Sequence, residues 1–448
     1  MKLRTYLKKD LELICRLFKK HIVILSLILI SYLATYGLNL FLANLLKPRL
    51  YGDISIVFQI LLFSLPFALL GTELSMMHYL PKYLEEKDYG LASGFLRWNL
   101  KTFFITALCI FGLGLIALVI TSIVGNYMGA SSEDFHIVLF SFWLIPLFAL
   151  IILQSTLLQT LKRYFLAASF RGFAVSFMIF LTIMLFLSTF ENTWVGGYRR
   201  PFSILMCVGI AYLIIIGFQF YLIYQKLPRE IYHAKPHYQK KRWLHHSTEM
   251  LGSFVGYTAL AAIQIVLLEI MSHDEVIVGH FASIIVIGSS IMVFALAVDL
   301  FMNPHISSLV EKNKTHLQSM LDIVNIFKLI PAALIGLIVV IFGETLLEHF
   351  GKSFVGAYPA LIILLFGYLV GLALSSTMPL LVYSGHHMLN FKISIIQIVA
   401  IVALSLIFIP LFGIEGAALA LSLTILIAGT LRLYFVRKFL GINCLFVI

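Results

Sequence analysis

The sequence predicts an all-α polytopic membrane protein with about twelve transmembrane helices in two six-helix lobes. Three observations support this fold class. Apolar residues make up 61% of the 448 residues and charged residues 12%, whereas soluble domains are about 25% charged. Apolar runs of around 20 residues, each long enough to cross roughly 30 Å of hydrocarbon, recur along the whole chain. Lys and Arg cluster in alternate connections between these runs, as they do in cytoplasmic loops.

The chain begins with a basic segment, residues 1–21. Its apolar residues recur at intervals of three and four, the spacing of one helical face, at Leu3, Leu7, Leu11, Ile14 and Phe18. Lys and Arg occupy many of the remaining positions. This pattern predicts an amphipathic helix on the cytoplasmic surface of the membrane. A segment that only orients the first span would have the same composition.

Twelve apolar segments follow, six on each side of a basic connection. We expect an N-lobe at 22–224, a C-lobe at 248–436 and a cytoplasmic tail at 437–448. The predicted spans are 22–44, 54–78, 102–124, 136–160, 165–187, 202–224, 248–271, 279–303, 323–343, 358–383, 391–411 and 415–436. A six-plus-six arrangement of similar halves is typical of transporters, with the substrate path between the lobes.

The placement of Lys and Arg predicts the topology. Most of the 32 basic residues fall at the N-terminus or in alternate connections, and Arg171 and Lys328 fall inside spans. The basic residues of the other connections are Lys47, Arg49, Arg199, Arg200 and Lys352. Because basic loops stay cytoplasmic, we expect both termini inside the cell, and Ser131 and Asn192 outside.

The two predicted lobes are joined by a basic connection at 225–247. Between Gln225 and His246 it holds six Lys or Arg and a single acid, Glu230. A short basic loop between apolar segments is typical of the cytoplasmic side. Its simplest interpretation is a solvated linker without a binding role.

The composition also argues against several classes of protein. The four cysteines are scattered, which predicts neither a disulfide framework nor a metal site or cofactor. The net charge of +11 lies in loops and at helix ends, where membrane topology accounts for it, so we expect no nucleic-acid partner. The outside connections are too short for a catalytic domain, and the first apolar run lacks the cleavage site of a signal peptide.

Three strings resemble a known family. They are LLKPRLYGDIS at Leu45–Ser55, GTELSMMHYLPKY at Gly71–Tyr83 and IPLFGIEGAALA at Ile409–Ala420. They are similar to motifs of the Wzx-type polysaccharide and O-antigen flippases, which belong to the multidrug/oligosaccharidyl-lipid/polysaccharide (MOP) superfamily. Members often have Arg near the end of span two and Asp in span seven, where this chain has His78 and Gln264.

The resemblance implies a MATE-like fold and a function. A flippase of this kind moves undecaprenyl-diphosphate-linked oligosaccharide across the bacterial inner membrane for O-antigen or capsule biosynthesis, by alternating access and without enzymatic chemistry. It implies a monomer in the lipid bilayer, with H⁺ or Na⁺ as candidate coupling ions. The alternatives are a cation-coupled multidrug antiporter on the same fold and a membrane glycosyl polymerase or ligase.

A lipid diphosphate would need cationic side chains at the membrane surface. The candidates are Arg171, Lys328, Arg97, Lys101 and His78. Arg171 and Lys328 lie a short way inside spans that begin at the cytoplasm, so they could belong to a ring of cations around the headgroup. Long basic side chains at helix ends also reach the interface without binding anything.

Ion coupling would need acids within the spans, because ionisable groups there are costly and are functional candidates by default. The candidates are Asp299, Glu73 and Glu269. Asp299 could instead form a buried ion pair with Lys328 that only fixes packing.

Two polar stripes at helical spacing are candidates for the glycan path. They consist of Ser31, Thr35 and Asn39 in span one and Ser253, Tyr257 and Gln264 in span seven. Small polar residues also hold membrane helices together, and the sequence does not separate the two roles.

Overall fold

The computed structural model describes residues 22–128, 141–190, 199–272, 274–299 and 314–444, together with Leu139 and Met302. The predicted amphipathic helix at 1–21 lies outside the described residues, as do Ser131 and Asn192. Where the chain is described, its regular structure is entirely helical.

The helices are numbered here in chain order. They are α1 Ile22–Leu69, α2 Thr72–Glu85, α3 Tyr89–Met128, α4 Leu144–Thr160, α5 Tyr164–Arg171, α6 Phe173–Phe190, α7 Arg199–Lys226, α8 Arg229–His233, α9 Lys240–Ser272, α10 Glu275–Gly288, α11 Lys314–Phe350, α12 Tyr358–Ala373, α13 Thr377–Tyr383 and α14 His387–Leu440. Short 3₁₀ turns lie at Ser141–Trp143, Ser289–Met292 and Lys352–Ala357, and residues 293–299 are helical again.

The predicted spans fall on helical segments as far as the described residues extend, but four of them, 54–78, 165–187, 279–303 and 358–383, cross a break between two helices. Seven described helices are long and apolar enough to cross a membrane, or eight if the pair α5 and α6, bent by 43°, forms one span. Two long helices are interrupted between predicted spans: α1, which holds the span 22–44 and most of 54–78, at Lys47 (φ 66°, ψ 165°), and α14, which holds the last two spans, at Gly413 (φ 56°, ψ −123°). Proline disfavours helical ψ in the residue before it, and Pro48 follows Lys47.

Internal contacts divide the chain into two compact units. We call Asp53–Val255 the N-unit, and the residues up to Gly52 together with Gly256–Ile448 the C-unit. The first part of α1 belongs to the C-unit because its polar groups bond there: Tyr32 donates to the carbonyl of Val286 (3.0 Å) and Asn44 to that of His349 (2.8 Å). The units thus differ from the predicted lobes in the first helix and the linker, and the lobe boundaries stay a prediction.

The basic connection is largely folded onto the N-unit, unlike the solvated linker expected from its composition. Trp243 is fully buried, and its indole N–H donates to the Tyr83 hydroxyl at 3.0 Å. Its ring centroid lies 5.2 Å from that of Phe95 and 5.5 Å from that of Trp98. Buried aromatic side chains contribute large apolar areas, so this cluster fixes the start of α9 against α2 and α3.

Two glycines permit this packing. A Cβ on Gly94 would lie 1.9 Å from the carbonyl oxygen of His237, and one on Gly71 would lie 2.3 Å from that of Ser247. Gly71 also has φ +68°, a conformation that L side chains rarely adopt. The linker backbone therefore lies directly against the N-unit at both positions.

Candidate functional site

Lys328 and Asp299 form an ion pair inside the C-unit. Lys328, on α11, is fully buried. Its ammonium also donates to the hydroxyls of Ser375 (3.2 Å) and Ser376 (3.3 Å), between α12 and α13. The Asp299 carboxylate thus neutralises the ammonium, and two serine hydroxyls accept hydrogen bonds from it. The pairing weighed as the structural alternative for Lys328 is present.

The polar shell around Lys328 continues to the end of the described chain. Ser376 donates to the amide oxygen of Asn325 at 3.3 Å, and the amide nitrogen of Asn325 donates to the backbone carbonyl of Cys444 at 2.7 Å. The Gln318 amide nitrogen donates to the Asn443 carbonyl at 2.6 Å. The segment after α14 therefore closes over the shell, as a structural network would require.

Arg171 and Glu73 are arranged differently in the N-unit. Arg171 ends α5, and its guanidinium donates to the Thr156 hydroxyl on α4 at 2.7 Å. Glu73, in the first turn of α2, is buried, and its Oε2 has no hydrogen-bond partner among the described residues. Arg171 and Glu73 influence each other electrostatically without a direct ion pair in the described structure, so this acid is left with an open acceptor.

Arg432 is a half-buried cation that was not among the candidate site residues predicted from the sequence. It lies within α14, where its Nε donates to Asn390 Oδ1 (3.0 Å) and its Nη2 to Ser394 Oγ (3.4 Å) and Gln397 Oε1 (3.0 Å). All three acceptors are neutral. Among the described residues Arg432 has no carboxylate partner. The spacing of Asn390, Ser394 and Gln397 is one helical stripe, which could have revealed the site.

The remaining cationic candidates lie on exposed surface. Arg97 and Lys101 are exposed in the first turns of α3. His78 is exposed and its ring stacks on that of His246, with centroids 4.7 Å apart. Arg171 and Lys328 belong to different units, and the ring of cations stays a prediction.

The polar stripe of the first span is hydrogen-bonded locally. Thr35 donates to the carbonyl of Ser31 (2.9 Å), Asn39 to that of Thr35 (2.8 Å), and the Tyr51 hydroxyl to Asn39 Oδ1 (3.1 Å). Thr35 nevertheless remains exposed, so part of the stripe is accessible.

The second stripe is only partly described. Gln264 is fully buried and accepts from the Ser405 hydroxyl at 2.9 Å, which is the contact of a residue that joins helices. Ser253 and Tyr257 lie on α9, and their side chains fall outside the described structure. Glu269 is half-buried on the same helix.

The overall fold matches solved transporter structures. The chain is similar to an inward-facing multidrug resistance MATE family transporter of the MOP superfamily, with a TM-score of 0.70, 16% identity and coverage of 94% of this chain and 98% of that one. The chain is also similar to a mutant of the Vibrio cholerae MATE transporter VcmN, with a TM-score of 0.65, 15% identity and coverage of 98% of both chains. For the lipid II flippase MurJ in an inward closed conformation, the TM-score is 0.54 and the identity 15%, with coverage of 92% of this chain and 87% of that one.

Sequence comparisons add no family. No protein-family profile matches the chain, and no curated protein matches it. The structural similarities confirm the predicted fold class: the chain is an all-α polytopic membrane protein with the MATE-like fold of the MOP superfamily. At these identities they show the fold alone.

Proposed function

We propose that the protein is a flippase that translocates undecaprenyl-diphosphate-linked oligosaccharide across the bacterial inner membrane for surface polysaccharide biosynthesis. It works by alternating access, as a monomer with both termini in the cytoplasm, and makes or breaks no bond. The observation that supports this most strongly is Arg432, a guanidinium inside a membrane-spanning helix whose hydrogen-bond partners among the described residues are all neutral.

An uncompensated cation inside a span is costly, and such residues are functional candidates by default. The three neutral acceptors orient the guanidinium but leave its charge intact. The planar guanidinium fork matches phosphate oxygens, so an anionic headgroup would supply the missing charge. A cationic drug would be repelled there.

The family resemblance and the fold support the same class of substrate. One solved structure of this fold is described as a lipid II flippase, a protein whose named substrate is a lipid. Arg171, Arg97, Lys101 and His78 remain proposed contacts for the diphosphate, and Ser31, Thr35, Asn39, Ser253, Tyr257 and Gln264 for the glycan. Lys328 is the weakest of the proposed contacts because Asp299 already neutralises it.

The test compares Arg432→Gln and Arg432→Lys with Arg437→Gln, a matched control because Arg437 is exposed near the end of the same helix. The purified protein is heated with polyprenyl-diphosphate oligosaccharide or with a cationic dye. We expect the lipid-linked sugar to raise Tm in the wild type and in Arg437→Gln, partly in Arg432→Lys, and not in Arg432→Gln. Stabilisation by the dye alone would contradict the proposal.

A second candidate is a multidrug antiporter coupled to H⁺ or Na⁺. Two of the solved structures of this fold are named MATE transporters. The observation that favours this candidate is Glu73, a buried carboxylate with an open oxygen among the described residues, which could take up a proton or a metal cation. Ion coupling at Glu73 is also compatible with a flippase. The ligand that stabilises the protein, lipid-linked sugar or cationic dye, therefore decides between the flippase and the antiporter.

A further inference from the structure

A cavity of about 240 Å³ lies within the N-unit. It is enclosed by α3, α4 and α7, with Met76 of α2 in its wall and the short helix α8 at one end. Most of the lining is apolar and includes Leu153, Leu157 and Ile223. An apolar cavity of this kind suits a hydrocarbon chain.

Two buried amide oxygens in the same lining lack partners among the described residues. Asn99 is 1% exposed and Gln154 8% exposed. Both line the cavity, and neither Asn99 Oδ1 nor Gln154 Oε1 has a hydrogen-bond partner among the described residues. A buried acceptor without a partner is destabilising. Both atoms are carbonyl oxygens, so the ligand that satisfies them must donate an N–H or O–H.

The rim of the cavity combines exposed aromatic surface with a cation. Phe220 and Tyr224 are each 65% exposed, and on a membrane-spanning helix such surface faces lipid. Tyr232 of α8 packs against Tyr224 with ring centroids 5.8 Å apart. Arg97 is exposed beside them. The positive-inside charge pattern places this rim at the cytoplasmic leaflet.

We propose that this cavity binds one phospholipid of the surrounding bilayer, selected for an amine or hydroxyl in its headgroup. An acyl chain lies along the apolar wall, the phosphate meets Arg97, and the headgroup donor bonds to Gln154 and Asn99. The terminal amide torsion of Gln is broad, so Gln154 can turn its oxygen toward the ligand.

The test compares phospholipids with identical acyl chains. Phosphatidylethanolamine and phosphatidylglycerol have a headgroup donor, whereas phosphatidylcholine has the phosphate but no N–H or O–H. The purified protein is titrated with each, and bound lipid is counted by native mass spectrometry. We expect the two donor lipids to bind about tenfold more tightly than phosphatidylcholine, the effect of one or two hydrogen bonds. Equal binding of all three lipids in the wild type overturns the proposal without any variant.

The variant Gln154→Leu then assigns the selectivity to the cavity. It keeps the approximate volume and removes the acceptor, and we expect it to bind the three lipids equally. Gln219→Leu is the matched control, because Gln219 also has a buried, unpartnered amide oxygen but does not line the cavity. It should retain the preference. Preference lost equally in both variants would instead indicate a general loss of packing. No oligosaccharide is involved, so the result is independent of the proposed transport function.

Discussion

Each unit has an acid and a base among its helices, and the two pairs are arranged differently. In the C-unit, Lys328 and Asp299 pair directly, and two serine hydroxyls complete the shell of the ammonium. In the N-unit, Arg171 bonds to the neutral Thr156, while Glu73 keeps an oxygen without a partner among the described residues. From the sequence, all four are simply charges in apolar runs.

The difference separates a structural role from a functional candidate. In the C-unit the two charges compensate each other, and removing one partner leaves the other charge uncompensated. A carboxylate with an open acceptor is ready to bind a proton or a cation. The comparison therefore predicts that changes in the C-unit pair affect stability, and that changes at Glu73 affect transport.

The largest effect is expected for Lys328→Met. This change leaves Asp299 without its partner, which costs about 3–5 kcal/mol for a buried pair. Thermal unfolding of the detergent-solubilised protein would show a large fall in Tm. The double change Asp299→Asn with Lys328→Met should recover most of the loss, because no charge then remains buried. If Lys328→Met alone is as stable as the wild type, the ion pair has no structural role and the proposed difference between the two units is wrong.

A smaller loss is expected for Thr156→Val, which removes the acceptor of the Arg171 guanidinium. Hydrogen bonds to charged groups contribute about 1.5–3 kcal/mol, and the exposure of Arg171 favours the lower end. Thr160→Val is the control, since its hydroxyl bonds only to the carbonyl of Leu157 on its own helix. If urea unfolding shows the same loss of stability in both variants, the hydrogen bond between Arg171 and Thr156 does not stabilise the protein measurably.

A change in stability of less than about 1 kcal/mol is expected for Glu73→Gln, because no described hydrogen bond to Oε2 is lost. If Glu73 carries the coupling ion, transport in proteoliposomes should lose its dependence on pH or Na⁺ while the fold is retained. Glu344→Gln, on α11, serves as the comparison. Unchanged coupling in Glu73→Gln would exclude this site.

The smallest effect concerns Cys444, at the edge of the Lys328 shell. Burial raises the pKa of the Cys444 thiol to about 12, so almost no thiolate, the reactive form, exists near pH 8. A maleimide should modify Cys444 only after unfolding, and raising the pH to 9 should hardly help. A cysteine introduced in the basic connection by Lys241→Cys, at an exposed position, is the reference. Rapid modification of folded Cys444 would show that the C-unit shell is open.

The sequence was sufficient for the fold because hydrophobic length and charge placement are local signals. The predicted spans fall on helical segments, although four of them contain a break that the hydrophobic pattern did not reveal. The pairing of Asp299 with Lys328 was among the alternatives considered. Arg432 was missed because its role depends on a polar stripe about 40 residues away, beginning at Asn390. Which charges are saturated follows only from packing between helices.

The basic connection shows the same limit. Its charges and prolines indicate open chain, but Trp243 packs on Phe95 and Trp98, which are distant in the sequence. Nothing within the connection itself reports that these rings meet. The grouping of the first helix with the C-unit has a similar origin in the bonds of Tyr32 and Asn44.

The folded connection also affects the susceptibility of the protein to proteolysis. Lys240, Lys241 and Arg242 are cleavage sites for trypsin, and their side chains are exposed. Trypsin nevertheless needs an extended backbone, and here the backbone is helical and fixed by Trp243. Cleavage must therefore wait for local opening of the start of α9. The run of basic residues at 240–242 should therefore be cleaved more slowly than an ordinary loop in limited digestion.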